Sequence, residues 1–471
     1  MRLSFWIVLA FLPVVLSAFS PSVFSLSTTR SSLVELRGRS KTLVGGAASS
    51  ETDSPMTPRP QYVTLAALSM VFISNQWSRS LIYYLVSFSS DAHSFEFMNI
   101  DLGFGAAQYG IVASFGFTLL FAVSSLFAGP ITDRYDRVKI SSASCAVWGG
   151  ASIAMGFAPN FSTVFALRVV QGIAMGFTNP AAYGLLADTF SPFQRSTVNS
   201  LYSSGVYLGG GLASISALLV AKAGWRVTCV VVGVLALCAS ANMMITSADP
   251  RILPTETNNR PKGAAASVIE ILTKKPVAYL FMGSALRFCA GFGIGVWAAP
   301  YFRQTFPEFA AEYAVTNAFV VGVGGLVSSL VGGRLADRLA ESSLGASARA
   351  WVVAASCILA VPAWLAVIGA GTFQAAMTFL FVEYLVAEMW FGPTISILQS
   401  CVGPSQRGTA QGLFSVLVTV GNIAPVAIGA ALSKGVSLGS ALSLTIPCFY
   451  TLAAVFFLVT GFELRGHGKE S

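Results

Sequence analysis

From Tyr62 onward the chain is a succession of long apolar runs separated by short polar breaks. Six runs lie near 62–86, 106–128, 139–158, 163–187, 197–221 and 225–246. A polar stretch at 247–276 interrupts the series, and six more runs follow near 277–300, 314–333, 349–369, 373–397, 408–432 and 437–462. Each is roughly 18–25 residues long, the length a helix needs to cross the hydrocarbon of a bilayer, where backbone polar groups must be bonded within the helix itself. The pattern predicts an all-α membrane protein. A six-helix bundle over 62–246 is followed by a linker over 247–276, a second six-helix bundle over 277–462 and a tail over 463–471.

Composition points the same way. Of 471 residues 54% are hydrophobic and only 10% charged, and the mean hydropathy is +0.70. That is more apolar surface than a soluble globule can bury. The formal charge of +8 raises nucleic acid as a partner, but the bases lie singly or in short loops, without a polybasic stripe interleaved with aromatics. The positive-inside rule accounts for them instead. Fifteen Lys and Arg, from Arg134 and Arg137 to Arg465 and Lys469, fall on one side of the expected membrane. Only Lys222, Arg226, Arg303 and Lys434 fall on the other, so the linker and both ends are expected to face the cytosol, or a plastid stroma. Seven cysteines without a C-x-x-C pair and two histidines suggest neither a disulfide framework nor a metal centre, and no cofactor is expected. The sequence has no G-x-S-x-G, Walker loop or metal-ligand spacing, so an enzyme is not expected. Uphill transport would have to draw on an ion or solute gradient. A monomer is expected.

Ahead of the spans, residues 1–18 carry Arg2, an apolar run from Phe5 to Leu16, and small Ser17-Ala18. The run is too short to span a bilayer and reads as a signal peptide. Residues 19–61 continue as a disordered leader, rich in Ser and Thr up to Ser50, with Arg30, Arg37, Arg39 and Lys41 against the single acid Glu35 in that part. The pair resembles the bipartite leader of proteins sent to secondary plastids. An ordinary signal followed by a disordered tail is the alternative. The first reading predicts a plastid envelope, the second an endomembrane or the plasma membrane.

The densest charge in the chain is G-P-I-T-D-R-Y-D-R-V-K, Gly129 to Lys139, between spans two and three. A shorter copy, G-R-L-A-D-R, runs from Gly333 to Arg338. Gly129 and Gly333 are 204 residues apart, Arg79 and Arg287 are 208 apart, and Arg195 and Arg407, each within a Pro-x-Gln-Arg-x-Thr stretch, are 212 apart. A repeat of this kind marks a transporter built from two related halves. Over about 62–462 the chain resembles the major facilitator superfamily, whose loop signature is Gly, three residues, Asp-Arg and further bases. The D-R-Y-D-R form most resembles the spinster-like branch, which includes lysophospholipid and sphingolipid transporters. Phe190-Ser-Pro-Phe-Gln-Arg, leading to Ser204-Gly-Val-Tyr-Leu-Gly-Gly-Gly, is similar too, and so is Asn75-Gln-Trp-Ser-Arg against that branch's Asn-Tyr-x-Asp-Arg. Ser78 replaces the acid that the branch ties to proton coupling. Organic-anion transporters of bacterial type share much of the pattern. The resemblance implies rocker-switch alternating access. It makes Gly129, Asp133, Arg134, Arg137 and Arg195, with Gly333, Asp337, Arg338 and Arg407, candidates for a gate.

Charge inside a membrane helix costs at least about 2.5–3.5 kcal/mol and is a functional candidate by default. Arg79, Arg168, Arg287, Glu383 and Glu388 fall in spans one, four, seven and ten, which line the cavity in the superfamily this chain resembles. Asn75 shares a helix face with Arg79, Gln76 lies beside it, and Gln171 stands one turn after Arg168. Arg79 and Arg287 are expected to form a forked clamp for carboxylate or phosphate. Glu383, the repeat counterpart of Gln171, is expected to face the cavity in preference to Glu388 and to balance charge or carry a proton. Structural ion pairing among these groups is the alternative. Trp297, with Trp77, Tyr83, Tyr84 and Trp390, is a candidate lining for an amphiphile cavity or an interfacial aromatic belt. The expected function is secondary active transport of a small organic solute, anionic or a lysolipid. A non-transporting receptor or scaffold on the same fold, and a uniporter without ion coupling, stand as rivals.

Overall fold

The computed structural model describes residues 58–89, 96–190, 195–250, 264–342, 344–402 and 407–467. The expected leader up to residue 57, the Ser-Pro-Phe-Gln stretch at 191–194, the middle of the linker and the end of the tail lie outside the described residues. So do the side chains of Asp133, Arg134, Arg195 and Arg407. Residues from Ala67 onward pack as one compact unit, and ahead of it only the opening turns of the first helix, from Pro58, are described.

Every regular element among the described residues is a helix. Nine are long and apolar enough to cross a membrane, and one of these, Leu201–Thr246, holds two spans. They join at Gly224, whose φ of 78° is open to glycine and strained for other residues. The remaining two spans, Pro58–Ser80 and Arg137–Met155, are too polar to qualify by composition. They carry Asn75 and Ser78, and Ser141, Ser142, Ser144 and Ser152, all turned into the protein rather than to lipid. Nine, one more at the Gly224 turn, and these two make the twelve expected spans. The linker is not wholly irregular, for Ala264–Thr273 is a helix ahead of span seven, Lys275–Thr305.

Breaks in the spans follow the internal repeat. Span two breaks at Ser114, between Ala106–Ala113 and Phe115–Arg134, and span eight carries a π-helical turn at Val320–Gly324. Span four breaks between Phe161–Met175 and Thr178–Thr189, and span ten has a 3-10 turn at Glu388–Trp390. Span five breaks at Ser204 and span eleven at Asn422. The same three members of each bundle are therefore interrupted, as two copies of one ancestral unit would be.

Hydrogen bonds between the bundles gather on the face away from the basic loops. Arg303, at the end of span seven, donates to the carbonyls of Val86 and Tyr84 at 2.5 and 2.8 Å. Asn317 in span eight donates to the Tyr84 hydroxyl and to Ser214 at 2.9 and 3.0 Å, and Ser214 donates to the carbonyl of Ala314 at 2.9 Å. The Tyr109 hydroxyl donates to the Val296 carbonyl at 2.7 Å. A Cβ on Gly110 would stand 2.9 Å from the Pro425 carbonyl oxygen, so only a bare backbone allows spans two and eleven this approach.

Candidate functional site

In the first bundle the α-helix of span one ends at Ser80 and tightens into a 3-10 turn, Leu81–Tyr84. A helix end leaves carbonyls without intrahelical partners. Arg168, reaching from span four and fully enclosed, donates to the carbonyls of Ser78 and Arg79 at 3.4 and 3.2 Å and to Gln171 Oε1 at 3.0 Å. Gln171 passes the chain on to Ser152 at 2.8 Å. Arg168 thus bonds only neutral oxygens and holds the end of span one in place. Asn75 donates to Thr178 at 3.1 Å, tying the same helix to the far segment of span four. Gln76, half-buried, donates to Asn75 at 3.5 Å. Glycine lets span five come close here, since a Cβ on Gly209 would lie 2.5 Å from that of Gln76.

Arg79 is placed differently from Arg168. Its half-buried guanidinium lies over two rings, Phe117 of the first bundle at 5.2 Å and Phe292 of the second at 5.3 Å. Arg168 covers Phe117 as well, at 5.1 Å. Among the described residues no carboxylate stands within ion-pair distance of either arginine.

In the second bundle Arg287, 2% exposed, donates to the carbonyl of Ala387 at 2.8 Å and pairs with Glu388 at 3.0 Å. Its guanidinium lies over Trp390 and Tyr450 at 5.2 and 5.0 Å. Glu383 is enclosed and accepts from the Tyr450 hydroxyl of span twelve at 2.5 Å. The side chain of Glu388 remains a quarter exposed. Of the two glutamates it is Glu388, not the favoured Glu383, that pairs with Arg287 and keeps some exposure. A 3-10 turn begins at Glu388, a feature that the repeat relation between Glu383 and Gln171 does not include.

Trp297 is fully enclosed, donates to the Pro425 carbonyl at 3.0 Å and meets Tyr109 edge-on at 5.0 Å. It seals the contact between bundles on the sparsely charged face. Of the candidate gate residues whose side chains are described, Arg137 and Asp337 form ion pairs within their own bundles. Asp136 caps span three by accepting from the backbone of Val138 and Lys139 at 2.9 and 3.1 Å. Arg137 pairs with Asp188, and its backbone N–H donates to Asp249 at 2.9 Å, which fastens the start of the linker to the loop. Asp337 pairs with Arg349 at 3.0 Å, Arg338 is exposed, and Gly333 has open space around it. A cleft of about 370 Å³, lined by Leu335, Trp351 and Met389 among others, lies at the ends of spans eight to ten. Its lining is almost entirely apolar, with Ser356 the one polar side chain, and includes none of the buried charges. Arg303, Asn317 and Tyr450 were not among the expected site residues; their only signal in the sequence is a lone polar group in an apolar run.

Among the described residues no group of His, Cys, Asp and Glu could hold a metal ion. Two bundles with interrupted, charge-bearing spans at their junction are the arrangement of a membrane transporter. Residues 68–426 match the family profile of the Major Facilitator Superfamily, and the chain belongs to that superfamily. An MFS-type efflux pump of Mycolicibacterium smegmatis is 24% identical over 423 residues, covering 87% of this chain and 94% of its own. The probable sulfoacetate transporter SauU of Cupriavidus necator is 23% identical over 353 residues, covering 70% and 79%. Among solved structures, a bacterial homolog of the human lysosomal transporter Spinster, inward-facing and occupied, superposes with a TM-score of 0.68 at 18% identity. It covers 88% of this chain and 97% of its own.

Proposed function

We propose that the protein is a secondary transporter of a small organic anion, bound between the bundles near the buried arginines and released by rocking of one bundle against the other. One observation carries this reading: the interior spans hold Arg79, Arg168 and Arg287 against Glu383 and Glu388, and only Arg287 has a carboxylate within ion-pair distance among the described residues. An uncompensated guanidinium in a membrane interior is expensive and invites an anionic partner. Arg79, half-buried, lying over two rings and without a carboxylate partner among the described residues, is the primary anion-binding group. Arg287 is the second, reached when substrate displaces Glu388. Glu388 then becomes free to take a proton, which gives a route to coupling. Arg168, Gln171 and Asn75 position span one. The similarity to a sulfoacetate transporter favours the same chemistry. The bonds between the bundles on the face opposite the basic loops support reading this as the conformation open to the cytosol.

A panel of radiolabelled carboxylates, sulfonates and phosphates in proteoliposomes, with and without an imposed pH gradient, tests the reading. Uptake of at least one anion class is expected, and movement restricted to neutral or cationic solutes would overturn it. The leader is read as plastid-directing. A fusion of residues Met1 to Ser50 to a fluorescent protein should enter plastids, and secretion of the fusion would refute that reading.

A further inference from the structure

Half-buried Arg79 and enclosed Arg287 are joined by a strip of aromatic rings. Arg79 lies over Phe292, Phe292 stacks on Phe288 at 5.8 Å and 12°, Phe288 meets the edge of Trp390 at 4.9 Å, and Trp390 lies beneath Arg287. Phe288 and Phe292 occupy one face of span seven, four residues apart, and both are half-buried rather than enclosed. Trp390 is placed in the strip by the 3-10 turn of span ten, the same turn that sends Glu388 to Arg287. Phe117 completes the surface from the first bundle, on the other side of Arg79.

We infer that the substrate is an organic anion with a flat aromatic body, its charged group held by Arg79 and its ring laid against Phe292 and Phe288. The inference rests on the anion reading above and narrows it. A guanidinium that lies over rings keeps its N–H edge for a carboxylate or sulfonate, which it meets in plane. The ring faces beside it give an aromatic body offset stacking that an alkyl chain of equal size cannot match. A site for a compact inorganic anion would have no use for rings between its two cations, and a substrate with a long flexible chain would gain only area burial from them.

The test uses sulfonates, which stay ionised and so do not leak through lipid. Purified full-length protein in liposomes is loaded with benzenesulfonate or with hexanesulfonate, equal in carbon number, and counterflow is compared. The expected result is a KM about tenfold lower for the aromatic anion, corresponding to roughly 1.4 kcal/mol. In Phe292→Leu and Phe288→Leu the ratio of the two KM values should fall toward one. Equal KM values for the two sulfonates in the wild type would overturn the inference while leaving anion transport standing. A ratio unchanged in both variants would overturn the role given to the strip. Failure of every anion to move would instead remove the parent reading, and the inference with it. The wild-type comparison decides the substrate class even where a leucine variant does not fold.

Discussion

Arg168 and Arg287 are both enclosed, yet their partners give them different sensitivities. Arg168 bonds two backbone carbonyls and an amide, so Arg168→Gln leaves span one's last carbonyls unsatisfied in the interior, at a cost of about 1–3 kcal/mol. A lowered melting temperature in detergent, together with weakened transport, is expected; full stability would show that span one does not depend on this residue. For Arg287 the pair with Glu388 matters more. Glu388→Gln leaves the guanidinium with neutral acceptors only, and the expected loss is about 2 kcal/mol, less than for a fully buried pair because the carboxylate is a quarter exposed. The same variant should transport with reduced dependence on an imposed pH gradient, and an unaltered dependence would remove Glu388 from the coupling route. The identity of these charged residues was legible in the sequence, because charge in an apolar run is expensive in lipid and needs either a partner or a function. Their pairing was not. Whether Glu383 or Glu388 meets Arg287 depends on a 3-10 turn at Glu388–Trp390, where Pro393 removes the N–H that would bond the Met389 carbonyl; the proline signals a break but not which carboxylate it turns to the arginine.

At the scale of the helices, the twelve spans were readable from hydropathy almost to their ends, since the hydrocarbon thickness sets a length that sequence must satisfy. The interruptions were not. The breaks at Ser114 and Ser204 carry no strong breaker of their own, whereas the break at Asn422 lies beside Pro425, which removes the N–H that would bond the Gly421 carbonyl. Their recurrence in spans two and eight, four and ten, and five and eleven is visible only in three dimensions. Gly224 is the exception, a position where one residue type is required. At its φ of 78° and ψ of 167°, a region essentially confined to glycine, a side chain adds about 1–3 kcal/mol of strain, so Gly224→Ala should lower the melting temperature with the spans otherwise intact. An unchanged melting temperature would mean that the turn between spans five and six relaxes to accept a Cβ.

Across the whole transport unit from Ala67 onward, the bonds from Arg303 and Asn317 hold the bundles together on the sparsely charged face. Sequence counting treated Arg303 only as a topology charge, because its partners are backbone carbonyls more than two hundred residues away. Charge-assisted bonds contribute about 1.5–3 kcal/mol each, so losing them should raise the population open on this face roughly tenfold or more. Spin labels placed on the loops after spans one and seven should show that longer distance in Arg303→Gln with Asn317→Ala; distances matching the wild type would mean that packing at Trp297 alone closes this face. Rocking of this kind moves solute only if the centre binds it, and that is where the account stands or falls. The most direct measurement is uptake of a radiolabelled organic sulfonate into proteoliposomes carrying wild-type protein, Arg79→Gln or Arg287→Gln, each checked for monodispersity. The predicted result is saturable uptake by the wild type and a loss of roughly ten- to a hundredfold in kcat/KM for each variant. Uptake by both variants at the wild-type rate would contradict it.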